Sequence, residues 1–405
     1  MKMVVKPKVR SFICTTAHPE GCAKNVSEQI TYVENQGYID GAKNVLIIGA
    51  STGYGLASRI VSAYACGANT LGVAFEKPSN GKKTASAGWY NTAAFEHAAH
   101  EKGLYAKTIN GDAFSDEIKQ QVIDIIQQEM NGKVDLIIYS LASPVRKDPQ
   151  SGELHRSALK PIGEVFNNKT VDVMKGEVTE VTIEPATEAE IADTVKVMGG
   201  EDWQLWIDKL LAADVLDKGC TTIAYSYIGP ELTHAVYKNG TIGQAKVDLE
   251  KTAKKLNKEL NNAVGGHAYI SVNKALVTQA SAAIPVVPLY MSLLFKLMKA
   301  QNLHEGCIEQ IYRLFKDKLY TKKTLLLDEN DRIRIDDWEM KSEIQDAILP
   351  LWLAVTTENL KEISDIAGYQ NDFYQLFGFN RDDVNYDQEV DIAVHIPSIP
   401  KDVAE

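Results

Sequence analysis

The feature that most constrains this chain is "VLIIGASTGYGLASRIVSAYACGA", residues 45 to 68. Four apolar residues fit a buried strand. Three glycines, Gly49, Gly53 and Gly55, follow at once, and then comes a stretch with helical spacing. A strand that runs through a glycine corner into a helix is the first half of a βαβ unit. Glycine lets the backbone turn tightly and lets a ligand phosphate approach the N–H groups at the helix start. The corner therefore predicts a parallel sheet with a dinucleotide at the carboxyl end of its first strand.

The rest of the chain supplies the other strands of such a sheet. Strand-like runs occur at 45–48, 70–75, 105–109, 134–139, 221–227 and 267–272. Helical patterns fill most of the gaps, at 54–65, 92–102, 116–129 and 243–260. This alternation predicts an α/β, Rossmann-type, doubly wound parallel sheet. The expected organisation is a single dinucleotide-binding domain over residues 1–405. An insertion over residues 144–219 should lie around the substrate mouth, and the chain becomes mainly helical from about residue 282. Ile284 to Phe295 reads either as a buried core helix or as the wall of an apolar ligand site, the place of an acyl chain if the substrate carries one.

Charge and composition narrow the partners. A net charge of −11 argues against nucleic acid, which needs a basic face. The most apolar stretch, 282–295, contains Pro285 and Pro288 and is shorter than the roughly 20 residues of a spanning helix, so membrane insertion is not expected. Five scattered cysteines and the absence of a signal-like N-terminus point to a cytoplasmic protein.

The glycine spacing, G-x3-G-x-G, resembles that of the short-chain dehydrogenases and reductases. Glu76 follows the second strand, next to Phe75. A carboxylate there accepts hydrogen bonds from ribose hydroxyls and repels a 2′-phosphate, which favours NADH over NADPH. Asp112 and Ala113 follow the third strand, at the expected adenine edge. Leu141 and Ala142 follow the fourth, where the backbone passes close to the nicotinamide ribose. The fifth strand carries Tyr225 and Tyr227 to the same end, and Tyr237 and Lys246 come next. A tyrosine acid with a lysine at the cofactor ribose suits hydride transfer. Along one continuous helix, Tyr237 and Lys246 would be separated by roughly 900° and fall on opposite faces. Asn239-Gly240 is a turn signal and Thr241 a candidate N-cap, so Tyr237 should precede the helix and Lys246 lie within it.

These blocks resemble the long, single-chain NADH-dependent enoyl-thioester reductases. That family comprises the trans-2-enoyl-CoA reductases and the enoyl-[acyl-carrier-protein] reductases of the Tyr-x8-Lys type. The resemblance is carried by "HPEGC", "GASTGYGLASR", "GWYN", "GDAFSDE", "YSLASPVR", "VMGGEDW", "YSYIG", Tyr237-x8-Lys246, "LVTQAS", "IPVVPLY" and "HEGCIEQI". It implies NADH-dependent reduction of the trans-2 double bond of an enoyl-CoA or enoyl-ACP in fatty acid metabolism, by a monomer. It assigns Tyr237 as proton donor, Tyr227 to the substrate carbonyl and Lys246 to the cofactor ribose. It also assigns Gly49, Ala50, Ser51, Thr52, Gly53, Tyr54, Phe75, Glu76, Asp112, Ala113, Leu141, Ala142, Leu276, Val277 and Thr278 to the NADH site. The competing readings are another short-chain-type enzyme acting on a ketone or alcohol, and a dinucleotide-sensing protein without turnover.

Other motifs carry less. Cys14, His18 and Cys22 lack the ligand spacing of structural zinc, and a packed N-terminal hairpin is the simpler expectation. "DENDRIRIDDWE" ends on Glu339 at position twelve of a calcium-type loop, but has Ile333 where that loop needs glycine. Trp203 and Trp206 share a helix face and read as packing. His304 and Cys307 read as structural. Arg146, Lys147 and Arg156 lie in the insertion, either as contacts for a charged carrier or as a solvated loop.

Overall fold

The computed structural model describes residues 1–10 and 13–400. Seven strands form one parallel sheet. In chain order they are Asn44–Ile48, Asn69–Ala74, Ala106–Asn110, Val134–Tyr139, Leu216–Ser226, His267–Val272 and Arg332–Arg334. Across the sheet the order is third, second, first, fourth, fifth, sixth, seventh. This is the doubly wound order, and it places a topological switch between the first and fourth strands, where such sheets bind ligands. The expected strands agree within a few residues. The seventh is only three residues long and pairs Ile333 with Ser271.

Val45, Leu46, Ile47 and Ile48 are fully buried, as a central strand covered on both faces requires. One face is covered by helices α1 (Pro19–Gln36), α2 (Gly53–Cys66) and α3 (Ala87–Glu101). The other carries α4 (Asp116–Glu129), α5 (Glu201–Ala212) and α6 (Thr241–Val264).

The stretch 144–219, read from sequence as an insertion, divides in two. Its first part holds two antiparallel hairpins, Val145–Lys147 with Leu154–Arg156 and Phe166–Asp172 with Glu177–Ile183. The helix Glu188–Met198 follows them. Its last part contains α5, whose Trp203, Trp206, Ile207 and Leu210 are fully buried against the sheet. That helix is the crossover between the fourth and fifth strands. The insertion therefore ends before Glu201.

The apolar segment after residue 284 is a core helix, α7 (Val287–Ala300), with Val287 to Phe295 all buried. Of the two readings of this stretch, burial favours the core helix. The helices Ser342–Ala354 and Ile366–Gln375 pack against it. Cys14 and Cys22 are buried and unpaired, and the His18 ring accepts a hydrogen bond from the Gly21 N–H at the start of α1. No helix among the described residues is long and apolar enough to cross a membrane.

Candidate active site

The glycine corner is built by close backbone approach. Gly49 has φ of 89°, and a Cβ there would sit 2.4 Å from the Ser140 carbonyl oxygen. A Cβ on Gly55 would lie 1.8 Å from the Gly49 carbonyl oxygen. Glycine is therefore required to bring the first strand, the fourth strand and α2 together. Thr52 caps α2 from an extended conformation without a side-chain capping bond, and no acidic residue sits in the first turn. The N–H groups of that turn stand ready for an anion. Thr278 lies against the same turn, its Cγ2 3.6 Å from where a Gly53 Cβ would be. Leu276 and Val277 are buried, so this loop offers backbone rather than side chains.

The second strand ends as the sequence suggests. Phe75 is exposed. Glu76 is pinned by Asn110: its N–H donates to Asn110 Oδ1 at 2.7 Å, and Asn110 Nδ2 donates to its carbonyl at 2.9 Å. The Ser51 hydroxyl donates to Glu76 Oε1 at 2.6 Å. Ser51 thus orients the carboxylate from the glycine corner. Gly88 leaves room for that carboxylate, because a Cβ there would meet Glu76 Oε1 at 2.1 Å.

At the third strand, the Ala113 carbonyl accepts from Lys119 Nζ and from Trp206 Nε1, each at 3.1 Å. The Phe114 N–H donates to Asp112 Oδ1 at 3.0 Å. These bonds fix the loop that carries Asp112 and Ala113. Leu141 is half-buried and Ala142 exposed, directly after the fourth strand.

Tyr54 does not present its side chain to this corner. Its hydroxyl donates towards the Lys274 carbonyl at 2.8 Å and Gln310 Oε1 at 2.9 Å. Its backbone is what remains for a ligand. Tyr225 is likewise structural, with its hydroxyl 2.6 Å from Ser58 Oγ.

The tyrosine and lysine positions follow from a broken helix. Tyr237 lies in turns before α6, and its N–H bonds to the Thr233 carbonyl at 3.0 Å. Gly240, not Thr241, occupies the N-cap, since Thr241 is drawn to the insertion by bonds with Ala158 and Lys160. Gly243 lets the Tyr237 turn fold onto α6, for a Cβ there would be 1.7 Å from the Lys238 carbonyl oxygen.

The Tyr237 and Tyr227 rings meet edge to face, with centroids 5.1 Å apart. Burial alone pushes the Tyr237 hydroxyl above its ordinary value, which keeps its proton on. Lys246 is half-buried and donates to the Tyr225 carbonyl at 3.4 Å. Burial lowers its pKa to about 8, with Glu250 opposing. Tyr227 is less free than Tyr237: its hydroxyl lies 3.1 Å from the carboxylate of Glu339.

Three residues of this region are not site residues in the sequence reading: Asn110 and Gly88, which complete the seat of Glu76 beside the expected Ser51, and Glu339, which stands behind Tyr227. Glu339 was noticed only as the end of a calcium-type loop. In that loop Arg332 pairs with Asp328 and Arg334 with Asp336, so the carboxylates have internal partners. Arg146 is a correction: it is buried, and its Nη1 pairs with Glu201 at 2.7 Å, which withdraws it from any carrier surface. Lys147 and Arg156 remain exposed. A cleft of about 440 Å³ opens beside Thr52, Gly53 and Thr278 and runs under α1, but Tyr227, Tyr237 and Lys246 do not line it.

Known proteins match this chain along almost its whole length. Residues 4–81 match the NAD(P)H binding domain of trans-2-enoyl-CoA reductase. Residues 83–320 match the trans-2-enoyl-CoA reductase catalytic region, and residues 327–390 an enoyl reductase FAD binding domain. An enoyl-[acyl-carrier-protein] reductase [NADH] of Coxiella burnetii is 62% identical over 398 residues, covering 98% of each chain. A trans-2-enoyl-CoA reductase [NADH] of Ruminiclostridium cellulolyticum is 57% identical over 98% of this chain and all of its own.

Among solved structures, a Clostridium acetobutulicum trans-2-enoyl-CoA reductase in complex with NADH superposes with a TM-score of 0.95. It is 45% identical and covers 98% of this chain and 100% of its own. The Treponema denticola trans-2-enoyl-CoA reductase in complex with NAD gives 0.92 at 53% identity, covering 96% of this chain and 98% of its own.

The glycine corner and the Glu76 seat fit a dinucleotide. Residues 327–390 do not fit a flavin. Their helices are closed on Ile344, Ile348, Trp352, Tyr369 and Phe373, all buried. Both glycines of the segment are filled: a Cβ on Gly368 would meet Asp365 Oδ2 at 2.2 Å, and one on Gly378 the Cys22 nitrogen at 2.5 Å. Neither leaves a cradle for a diphosphate.

Proposed function

We infer the function of this chain from one premise: it belongs to the trans-2-enoyl-CoA reductase family. It is an NADH-dependent oxidoreductase that saturates the trans-2 double bond of an enoyl thioester. The observation that carries the site is the Tyr227–Tyr237 pair, at the carboxyl end of the same sheet as the glycine corner.

NADH, when bound, supplies the hydride that reaches the β-carbon of the substrate. Charge then develops on the thioester oxygen. Hydroxyl donors already held in place stabilise that charge without reorganising, typically by a few kcal/mol each. Tyr227 and Tyr237 take this role, with Tyr237 as the proton donor. Its buried hydroxyl has its proton available, and burial keeps bulk water from competing for the oxygen. Lys246, held at the Tyr225 carbonyl on the strand that leads to Tyr227, would hold the cofactor ribose and supply positive charge to the site. Glu76, oriented by Ser51, faces the adenosine ribose and disfavours a 2′-phosphate.

The carrier is either coenzyme A or an acyl carrier protein, since near relatives carry both names. Parallel kinetics with crotonyl-CoA and crotonyl-ACP test this. The preferred carrier should show the larger kcat/KM, and failure to oxidise NADH with either would overturn the proposal. We propose that the working unit is a monomer, as the family resemblance implies; light scattering at assay concentration checks it. A cytoplasmic location is supported by five cysteines that are all unpaired.

A further inference from the structure

The cluster beneath Tyr227 has no role in the reaction as described so far. Glu339 is fully buried. Its Oε1 lies 3.1 Å from the Tyr227 hydroxyl and 2.7 Å from the Tyr290 hydroxyl. Its Oε2 accepts the Ala275 N–H at 2.7 Å. Gln345 Nε2 donates to the Tyr290 hydroxyl at 3.1 Å and to the Glu339 carbonyl at 2.7 Å.

Counting hydrogens across these contacts leaves one ambiguity. Tyr290 accepts from Gln345, so its own hydrogen goes to Oε1. Ala275 occupies Oε2. One hydrogen remains to be placed between Oε1 and the Tyr227 oxygen. If Glu339 is ionised, Tyr227 must supply that hydrogen, and its hydroxyl cannot also donate to a substrate. If Glu339 is a neutral acid, Oε1–H donates to the Tyr227 oxygen, and the Tyr227 hydrogen is released for another acceptor.

We propose that Glu339 is a positioning residue that works as a neutral acid, donating its proton to the Tyr227 oxygen and thereby turning the Tyr227 hydroxyl hydrogen toward the thioester oxygen. The inference rests on the reading of Tyr227 as a substrate-facing donor. No covalent bond changes at Glu339 across the turnover; only the direction of one hydrogen bond is fixed. The carboxyl group is removed from water, and burial, the largest influence, raises its pKa. Lys274, the Ala275 N–H and the Tyr290 hydroxyl pull the other way; Lys274 Nζ donates to the Ala275 carbonyl at 3.1 Å, and burial lowers its own pKa to about 8, which weakens that pull. Asp336 is paired with Arg334 at 2.7 Å and also disfavours charge on Glu339. A neutral acid is also what the chemistry needs, because an anion behind Tyr227 would oppose the charge growing on the thioester oxygen.

Four substitutions, alone and combined, test this. Glu339→Gln presents an amide donor to Tyr227 and its oxygen to the Ala275 N–H, but leaves Tyr290 without an acceptor. Adding Tyr290→Phe removes that conflict. Glu339→Leu supplies no donor. The Gln/Phe double variant should keep kcat within about tenfold of Tyr290→Phe, while Glu339→Leu should lose roughly 10²-fold with little change in the KM for NADH, as expected for a lost transition-state donor. In a Tyr227→Phe background, Glu339→Leu should cost nothing further. An infrared difference spectrum near neutral pH, wild type minus Glu339→Gln, should contain a protonated-carboxyl band.

The inference is overturned if the Gln/Phe variant falls as far as the Leu variant while circular dichroism shows a native fold. It is also overturned if the Leu variant costs as much without the Tyr227 hydroxyl as with it, or if the infrared band is missing. A fully active Tyr227→Phe enzyme would instead remove the reading of Tyr227 itself, and the inference with it.

Discussion

Replacing Lys246 with methionine should make the protein more stable and less active. The side chain keeps its length but loses a charge that the fold pays to bury. Its single hydrogen bond, to the Tyr225 carbonyl at 3.4 Å, does not compensate. The displacement from 10.5 to about 8 corresponds to about 3 kcal/mol at ~1.4 kcal/mol per pH unit. The side chain is half-buried, so solvent screening reduces the figure to about 2 kcal/mol.

The sign has a pH signature. Below about pH 8 the lysine is charged in the folded and unfolded states alike, and the full cost is present. Between about 8 and 10.5 the folded protein has released the proton while the unfolded chain still holds it. Wild-type stability rises with pH across that window, and the advantage of the methionine variant closes. Urea denaturation of both proteins at pH 7, 9 and 10.5 measures this directly. Fluorescence titration should show weaker NADH binding by the variant. A variant less stable than wild type at pH 7, or a difference that does not change with pH, would refute the reasoning.

Tyr237→Phe should lower kcat by 10²–10⁴-fold, roughly 3–5 kcal/mol, with a nearly constant KM for the enoyl substrate and unchanged NADH binding. Near-normal turnover, with Tyr227→Phe crippled instead, would exchange the two roles. Glu76→Ser should narrow the preference for NADH over NADPH in kcat/KM. Gly88→Ala, whose Cβ would strike Glu76 Oε1, should raise the KM for NADH without lowering kcat. Lys147→Glu with Arg156→Glu tests the exposed part of the insertion as a carrier contact. The KM for the carrier substrate should rise and depend on ionic strength, and indifference to both would count against docking there.

What the sequence revealed is what chemistry writes locally. The glycine corner is legible because Gly55 answers to the nearby Gly49 carbonyl and Gly49 turns at positive φ, although the atom that a Gly49 Cβ would strike lies on the fourth strand. The break between Tyr237 and Lys246 is legible because Asn239-Gly240 stops a helix whatever surrounds it. Features set by distant packing were harder to read. Helix α5 reads as part of the insertion because nothing in "EDWQLWIDKLLA" says which face of which sheet its tryptophans will cover. The seventh strand is three residues long, two of them arginines, and is a strand only because Val272 and its neighbours lie alongside. The assignment of Tyr54 to the cofactor overlooked its hydroxyl, which bonds to Lys274 and Gln310, far along the chain.

Glu339 is the sharpest case. It is 112 residues from Tyr227, and in sequence it ends a polar loop that looks solvated. Only the fold turns that glutamate inward, onto a tyrosine whose neighbour is the proposed acid. A buried carboxyl group with three hydrogen-bond partners and no ion pair among the described residues is costly to keep in a core. Tyr290 needs one acceptor and Ala275 another, and an apolar residue at 339 would strand both. Those needs alone would be met equally well by an ionised carboxylate. The direction of the Tyr227 hydroxyl separates the two states, which is why the coupling between Glu339→Leu and Tyr227→Phe is decisive: a glutamate kept only to satisfy Tyr290 and Ala275 would cost the same with or without the Tyr227 hydroxyl.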